Sequence, residues 1–407
     1  MLSAIGLTLA VMAQALSPIA AQAAEAVKVG LILPMSGKYS IYGQEMSVGF
    51  NHVIDEINAA GGIKSLGGAK IKVILSDDTS QPGVASLAAR RLVFEDKVTF
   101  LAGFPITSLI NAILPISDQN GVPMLSFAGG RAGIGKHFFT LVFQFGDGYA
   151  GNFVNFLDYA NKSQNLGVKN VVIASSDSEP WKWIDREMET RLKELGYKIV
   201  GVVPIPSSQA DLTPTLLKIR SLEPDAILSF LYAGDGIKLM NARYTLGYQG
   251  PLWIGGTGGY TDPSLWGKLG DTVAAATLNK NLFGLTGYAA TDSLVAAADL
   301  ITRVRKGGVK IPLGFNFLVG AQSAQVVASA LEIAGSTEPA KIEKAMKTVK
   351  FAAGDTRLYL PKPRGFSFKD DGTMEDQTGL IIQWEGGKQV VVWPSSYATR
   401  APRITKK

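Results

Sequence analysis

GLILPMSGKYSIYG, residues 30–43, joins the end of an apolar run to the beginning of a helical pattern. The apolar run stops at Pro34, and a turn of small and polar residues follows it. Beyond Tyr42, the residues Met46 and Phe50 recur at the spacing of one helix face. The stretch therefore predicts a strand, a short turn and a helix, and it places Tyr42 either in a plain connection or at the lip of a binding site.

The same alternation of strand and helix patterns continues along the chain. The strand patterns are VKVGLILP, KIKVILSDD, VTFLAG, VPMLSF and FFTLVFQF in a first cycle, and NVVIASS, YKIVGVVPI, DAILSFL and PLWIGG in a second. Strands that alternate with helices indicate parallel sheets covered by helices on both faces. Because the cycle runs twice, the sequence predicts an α/β fold with two doubly wound parallel-sheet domains.

The last third of the chain has a different pattern. Helices are predicted over residues 288–306, 315–334 and 338–349, and GLIIQWEGGKQVVVWP predicts a hairpin that turns at Gly386-Gly387. These helices bring no new set of strands, so they must cover a sheet that is already built, and the chain must cross between domains more than once. The predicted lobes are residues 24–145 plus 279–358 and residues 146–278 plus 359–407.

The first 23 residues have the pattern of a secretory signal peptide. They carry no charge, and an apolar run leads to Ala21-Gln22-Ala23, a small-residue cleavage site. A buried core helix fits less well, because Ser17-Pro18 interrupts the run. We therefore expect a periplasmic protein whose mature chain begins at or near Ala24.

The composition limits the kinds of partner and site. A chain of 407 residues suits two domains, and its net charge of +6 is spread thinly, which argues against a nucleic-acid partner. Cysteine is absent from the sequence, which excludes disulfides, thiolate metal sites and cysteine nucleophiles.

Two glycine-rich runs resemble phosphate-binding loops. GDGYAG, residues 146–151, matches G-x-G-x-x-G between a strand and a helix, and Asp177 ends the next strand, so a dinucleotide site is one interpretation. The export signal and the position between the two cycles favour a hinge loop instead. GRAGIGKH, residues 130–137, has His137 where a P-loop needs a hydroxyl, and we reject it. No pattern assembles a nucleophile, a base and an orienting group, so we expect no enzyme, no cofactor and no metal.

Four stretches of the first half carry a resemblance to a known family. They are VKVGLILPMSGKYSIYGQEMSVGFNHVIDEINAAGGI, IKVILSDDTSQPGVASLAARRLV, FLAGFPITS and NGVPMLSFAG, in that order. The chain resembles the periplasmic solute-binding proteins of ABC importers, in the branched-chain amino acid (Leu/Ile/Val) binding family, over nearly all of residues 27–394. The resemblance implies a type I periplasmic-binding fold, in which two lobes joined by a multi-strand hinge close on a small-molecule ligand. It also implies an inner-membrane ABC permease as partner, and we expect a monomer.

The resemblance also implies a set of ligand-binding positions. Carried over onto this sequence, they are Tyr42, Thr107, Ala128, Gly130, Trp181 (or Trp183), Tyr232 and Thr257. Phe104 and Tyr149 are added as aromatic walls of the same pocket. This answers the question raised by the opening stretch, because it makes Tyr42 a pocket lip.

Two of these positions depart from the pattern of amino acid binders. Those proteins hold the ligand ammonium with a threonine hydroxyl and a carboxylate, where this chain has Gly130 and Thr257. An ammonium buried without an anionic partner costs several kcal/mol. We therefore expect a small organic acid, aromatic acids included, with its carboxylate on Thr107. The alternatives are a branched-chain or other amino acid binder, a sensory ligand-binding subunit, and a nucleotide-dependent enzyme.

Overall fold

The structure is a computed structural model. It describes residues 24–127, 136–141, 143, 145–177, 179–206, 209–256, 258–290 and 293–405. The predicted signal peptide lies outside the described residues.

The first lobe is built on a parallel sheet. Its strands in the described part of the chain are β1 (Val27–Leu33), β2 (Ile71–Asp77), β3 (Phe100–Gly103), β4 (Met124–Ser126) and β5 (Phe138–Thr140), in the order β2-β1-β3-β4-β5. The helices between them are α1 (Ser40–Ala59), α2 (Pro82–Phe94) and α3 (Thr107–Asn120), with a short 3-10 turn at Lys64–Leu66. All of these elements lie where the alternating sequence pattern predicts them.

The second lobe repeats the scheme. A π-helical turn (Phe145–Ala150) leads into α4 (Gly151–Gln164), and α5 (Glu179–Glu194), α6 (Thr213–Ser221), α7 (Ala233–Thr245), α8 (Gly258–Thr261), α9 (Leu265–Leu269) and α10 (Asp271–Thr277) follow. The strands are β6 (Asn170–Ile173), β7 (Lys198–Val202), β8 (Ala226–Phe230), β9 (Leu252–Gly256) and β10 (Leu282–Thr286). These five strands pair in parallel, in the order β10-β9-β8-β6-β7.

The C-terminal part of the chain contributes to both lobes. It contains α11 (Val295–Lys306), α12 (Phe315–Ala334), α13 (Pro339–Met346), the two-stranded pair β11 (Lys350–Phe351) and β12 (Phe366–Ser367), and the hairpin β13 (Leu380–Glu385) and β14 (Lys388–Trp393). The hairpin adds antiparallel strands to the edge of the second sheet at β10. As predicted, it turns at Gly386 and Gly387, whose φ angles are 54° and 83°. The fold class, two doubly wound parallel-sheet α/β domains, is confirmed.

The helix predicted from residue 288 begins only at Val295. Thr286 holds the segment between β10 and α11 in a turn. Its hydroxyl donates to the carbonyl of Tyr288 and accepts the N–H of Tyr288. That turn brings residues 286–290 to the space between the lobes.

Two of the lobe boundaries lie later in the chain than the sequence predicts. The predicted boundary at residue 279 assigns β10 to the first lobe, but β10 pairs with β9 of the second sheet, so the chain crosses after Thr286. The boundary at residue 359 is also early. Gly372 accepts the N–H of Thr140 in the first lobe, and Phe368 packs edge-on against Phe139 with ring centroids 5.1 Å apart. Among the described residues the chain therefore crosses three times, between residues 140 and 151, 286 and 295, and 374 and 380.

Two glycines allow α12 to pack directly on α1. A Cβ at Gly320 would lie 2.1 Å from the carbonyl oxygen of Met46, and one at Gly49 would lie 2.0 Å from that of Phe317. Only glycine permits so close an approach of two backbones. In the described part of the chain, α12 alone is long and apolar enough to cross a membrane, but most of it is buried, as in the core helix of a globular lobe.

Candidate functional site

A cleft of about 800 Å³ lies between the two lobes. Much of its wall comes from residues that follow the carboxyl ends of β1, β3 and β4 in the first sheet and of β6, β8 and β9 in the second, and the C-terminal part of the chain supplies the rest. In open α/β sheets, ligands bind in the crevice outside these strand ends. The position of the cleft is therefore that of a ligand site.

The first-lobe wall combines a tyrosine, a carboxylate and the start of a helix. Tyr42 and Glu45 project from α1, and Thr107 and Ser108 form the first turn of α3. Ile106, which precedes α3, has no side-chain oxygen and gives the helix no side-chain cap. The N–H groups and the positive dipole end of α3 thus lie at the cleft, where they favour an anion.

The second-lobe wall is a cluster of aromatic rings. Trp181 stacks on Phe230 with ring centroids 5.2 Å apart, and Tyr232 packs against Trp181 at 5.4 Å. Tyr149 meets Phe230 edge-on at 5.3 Å and Phe143 edge-on at 5.5 Å. Because each ring is held by its neighbours, the cluster presents a preformed apolar surface to the cleft.

Burial raises the pKa of Tyr42 and of Tyr149 well above the usual range of a phenol. Neighbouring acidic groups add to the rise, among them Tyr232 for both phenols. Both hydroxyls are therefore neutral at physiological pH.

Most of the predicted ligand-binding positions lie at this cleft. Tyr42, Thr107, Tyr149, Trp181 and Tyr232 are all among its lining residues, and so is Phe127. Trp181 lines the cleft, whereas Trp183 does not and instead stacks with the guanidinium of Arg186, 4.8 Å away. Ala128, Gly130 and Thr257 lie outside the described residues.

The sequence predicts Phe104 at the pocket, but in the structure Phe104 does not line the cleft. Its side chain is fully buried in the apolar core that covers the first sheet, together with Ile32, Leu101 and Ile110. The reason is the backbone after β3, because Gly103 and Phe104 both have a positive φ, 122° and 62°. This turn directs the phenyl ring inward and leaves Pro105 and the residues after it at the cleft.

Sequence reasoning missed the acidic side of the cleft. Glu45 is only 6% exposed and accepts a hydrogen bond from Nδ2 of Asn316 at 3.0 Å. Burial raises its pKa to about 7, Asp262 on the second lobe adds to the rise, and Asn316 and Lys268 oppose it. The sequence does contain a signal that Glu45 faces the cleft, because Glu45 follows Tyr42 by three residues and so shares its helix face.

The glycine-rich run at residues 146–151 lies at the first crossing between the lobes. A Cβ at Gly148 would lie 2.6 Å from Cβ of Phe143 and 2.8 Å from Oε1 of Gln377, which belongs to the third crossing. Asn152 then donates to the carbonyl of Gln377 and accepts the N–H of Gly379. These glycines thus pack the crossing segments together.

Comparisons with known proteins agree with this architecture. A family model described as "Periplasmic binding protein" matches residues 26–389. A "Leu/Ile/Val-binding protein homolog 7" of Brucella suis is 25% identical over 393 residues, which cover 95% of this chain and 96% of the relative.

Solved structures share the fold. A leucine-binding protein of Thermotoga maritima superposes with a TM-score of 0.72 at 22% identity, and the match covers 90% of this chain and 97% of that one. A solute-binding protein of an ABC transporter from Rhodopseudomonas palustris, solved in complex with 3,4-dihydroxybenzoic acid, gives a TM-score of 0.73 at 25% identity. That match covers 89% of this chain and 95% of the other.

Proposed function

Because the chain belongs to the periplasmic binding protein family and is a solute-binding protein of an ABC transporter, we propose that it captures a small organic acid, aromatic acids included, and delivers it to an inner-membrane permease. The family implies a location outside the cytoplasm, and the apolar segment before Ala24 supports export by a cleaved signal peptide. In this proposal the protein binds its ligand without transforming it.

The start of α3 is the observation that carries the proposal. The helix has 14 residues, its first turn lines the cleft, and the residue before it supplies no side-chain cap. A carboxylate is the common organic anion that such a helix end binds. The hydroxyl of Thr107 stands in the same turn and can add a hydrogen bond to the carboxylate.

The opposite wall supports an apolar or aromatic body for the acid. Trp181, Tyr149 and Tyr232 belong to the second lobe, so a planar ligand held by α3 would meet them when the lobes close. Offset or edge-on contacts between aromatic rings contribute about 0.5–1.5 kcal/mol each. A ligand that contacts both lobes favours the closed state over the open one.

Calorimetric titration of the purified mature protein with benzoate, 4-hydroxybenzoate, short fatty acids and leucine tests the proposal. We expect at least one of the acids without an amino group to bind, and we expect Thr107→Val to lower the affinity for that acid about tenfold. Thr302→Val is the matched control, because Thr302 lies on α11, is not among the residues that line the cleft, and donates to the carbonyl of Ala298 in its own helix. If benzoate and the other acids without an amino group all fail to bind, the organic-acid proposal is wrong.

An amino acid ligand is the second candidate, and the acidic side of the cleft favours it. Glu45 and Asp262 both line the cleft, so an anionic partner for an ammonium is available there in spite of the residues at 130 and 257. Leucine in the same titration separates the two candidates.

A further inference from the structure

We infer that Glu45, held in place by Asn316, accepts a hydrogen bond from a donor group on the ligand, so that the ligand is an acid with a second, donor-bearing position. The donor is a hydroxyl or an ammonium. This inference rests on the proposed function, because it specifies the ligand of the same cleft.

The geometry of Glu45 leaves one carboxylate oxygen for a ligand. Oε2 accepts the hydrogen bond from Asn316, while Oε1 has no hydrogen-bond partner among the residues that the structure describes. Glu45 also lies on the cleft wall one helical turn from Tyr42. Because Oε1 is not fully buried and Glu45 lines the cleft, a bound ligand can reach this oxygen.

The surroundings of Glu45 make its ionised carboxylate energetically unfavourable when no ligand donor is bound beside it. A buried carboxylate needs hydrogen bonds or a counter-charge, and the charged groups around Glu45 are mixed. Asp262 repels it from the second lobe, Lys268, whose Nζ lies 3.9 Å from Oδ2 of Asp262, attracts it, and the phenol of Tyr42 lies near it on α1. A donor on the ligand would supply the missing hydrogen bond and offset the repulsion as the lobes close.

Asn316 is a positioning residue in this arrangement. It stands near the start of α12, and its amide fixes one oxygen of Glu45 across the contact between α12 and α1. The other oxygen is thereby held in one orientation, which favours a ligand donor at one place and not along the whole wall.

The test compares Glu45→Gln with wild-type protein by calorimetry, using three probes. Benzoate has the carboxylate alone, 4-hydroxybenzoate adds a hydroxyl, and leucine adds an ammonium. Titrations at pH 8 keep Glu45 mainly ionised, and Glu56→Gln on the outer part of the same helix is the control, since Glu56 pairs with His52 and Arg303. Loss of a charge-assisted hydrogen bond corresponds to about a tenfold or greater loss of affinity.

We expect Glu45→Gln to weaken the binding of 4-hydroxybenzoate or leucine about tenfold or more, and the binding of benzoate about twofold or less. The probe whose affinity falls identifies the donor group. As a measurement that needs no variant, wild-type affinity for that probe should fall from pH 8 to pH 6, as Glu45 takes up a proton, while benzoate affinity does not. Equal effects on all three probes, or none, overturn the inference but leave the organic-acid proposal intact if benzoate binds. If only a short fatty acid binds the wild-type protein, this inference is overturned and the organic-acid proposal stands; if none of these acids and no leucine binds, both are overturned.

Discussion

The indole ring of Trp181 lies parallel to the phenyl ring of Phe230, with centroids 5.2 Å apart and an angle of 11° between the planes. Trp181 is 7% exposed, and its Nε1 is buried without a hydrogen-bond partner among the described residues. The tryptophan thus serves two purposes, because one face fills the second-lobe core and the remaining edge forms part of the cleft wall.

Trp181→Ala should therefore reduce both stability and ligand affinity. We expect the free energy of unfolding to fall by about 3 kcal/mol, because a buried aromatic ring is lost from a packed cluster. Trp181→Phe should lower the free energy of unfolding less, since it keeps a ring on Phe230 and removes the unpaired N–H.

Trp183→Ala is the control. It should lose about 1 kcal/mol of stability with its contact to Arg186 and should bind benzoate as the wild type does. Urea unfolding and calorimetry measure both effects, and a larger loss of affinity in Trp183→Ala would contradict the assignment.

Tyr42→Ala should weaken ligand binding by about 1–3 kcal/mol, as expected for an aromatic anchor at the lip of a closing cleft. The side chain is only partly buried, so the unfolding free energy of the ligand-free protein should change less than it does in Trp181→Ala. Calorimetry and urea unfolding of the two variants give the comparison. If Tyr42→Ala unfolds more easily than Trp181→Ala and binds ligand normally, Tyr42 is a core residue and not a pocket lip.

Gly320→Ala should destabilise the first lobe strongly. Its methyl group would lie 2.1 Å from the carbonyl oxygen of Met46, so α12 must move away from α1 at a cost of about 1–3 kcal/mol or more. Gly83→Ala in α2 is the matched control, because nothing lies within 4 Å of its Cβ and alanine favours a helix. Thermal melting of both variants measures the difference. Equal melting temperatures would show that the two helices are not in tight contact.

The parts of the fold that were predicted correctly depend on local sequence patterns. The strand ends near Tyr42, Thr107 and Tyr232 are set by apolar runs and by the turns that follow them, so these side chains could be placed at the carboxyl edge of a sheet. In parallel sheets those edges form one crevice, which is why residues far apart in sequence line one cleft.

Tertiary contacts decided the parts that could not be predicted. Phe104 looks like a pocket residue in sequence, but two consecutive positive φ angles turn its ring into the core. Asn316 is separated from Glu45 by 271 residues, and their contact depends on the close approach of α12 to α1. The crossing after β10 was placed too early because the strand pattern of Leu282–Thr286 does not state which sheet it joins.

The stability of the ligand-free protein should depend on Asp185 between about pH 4 and pH 7. Burial raises its pKa to about 7, although the hydroxyl of Ser175 donates to Oδ1 at 2.7 Å and partly opposes the rise. A folded-state pKa above the unfolded value means that the folded state holds the proton more tightly, so this contribution is present at low pH and is lost as pH rises through 7. Asp185→Asn keeps the acceptor for Ser175 and cannot ionise. Its unfolding free energy should fall less than that of the wild type from pH 5 to pH 8, and parallel pH profiles would contradict the assignment.

Lys362, at the crossings between the lobes, should make the unfolding free energy depend on pH with the opposite sign. Its side chain is 3% exposed, and Nζ donates to the carbonyl of Thr378 at 3.1 Å and lies 5.2 Å from the ring centroid of Phe143. Thr378 and Phe143 belong to different crossings, so the lysine links two of the segments that join the lobes. Burial lowers its pKa to about 8, while Asp376 opposes this and Arg364 adds to it.

A lysine with a folded-state pKa below its unfolded value makes a stability contribution that is present at high pH and is lost as pH falls through 8. The wild type should therefore gain this contribution between pH 7 and pH 9, while Lys362→Met, which is similar in length and has no charge, should lack it. Lys347→Met is the control, because the side chain of Lys347 is exposed and its Nζ lies 3.7 Å from Oε1 of Glu343, away from the crossings. Urea unfolding at both pH values gives the difference between the variants. A Lys362→Met protein that keeps the wild-type dependence on pH would show that this lysine is solvated and does not link the two crossings.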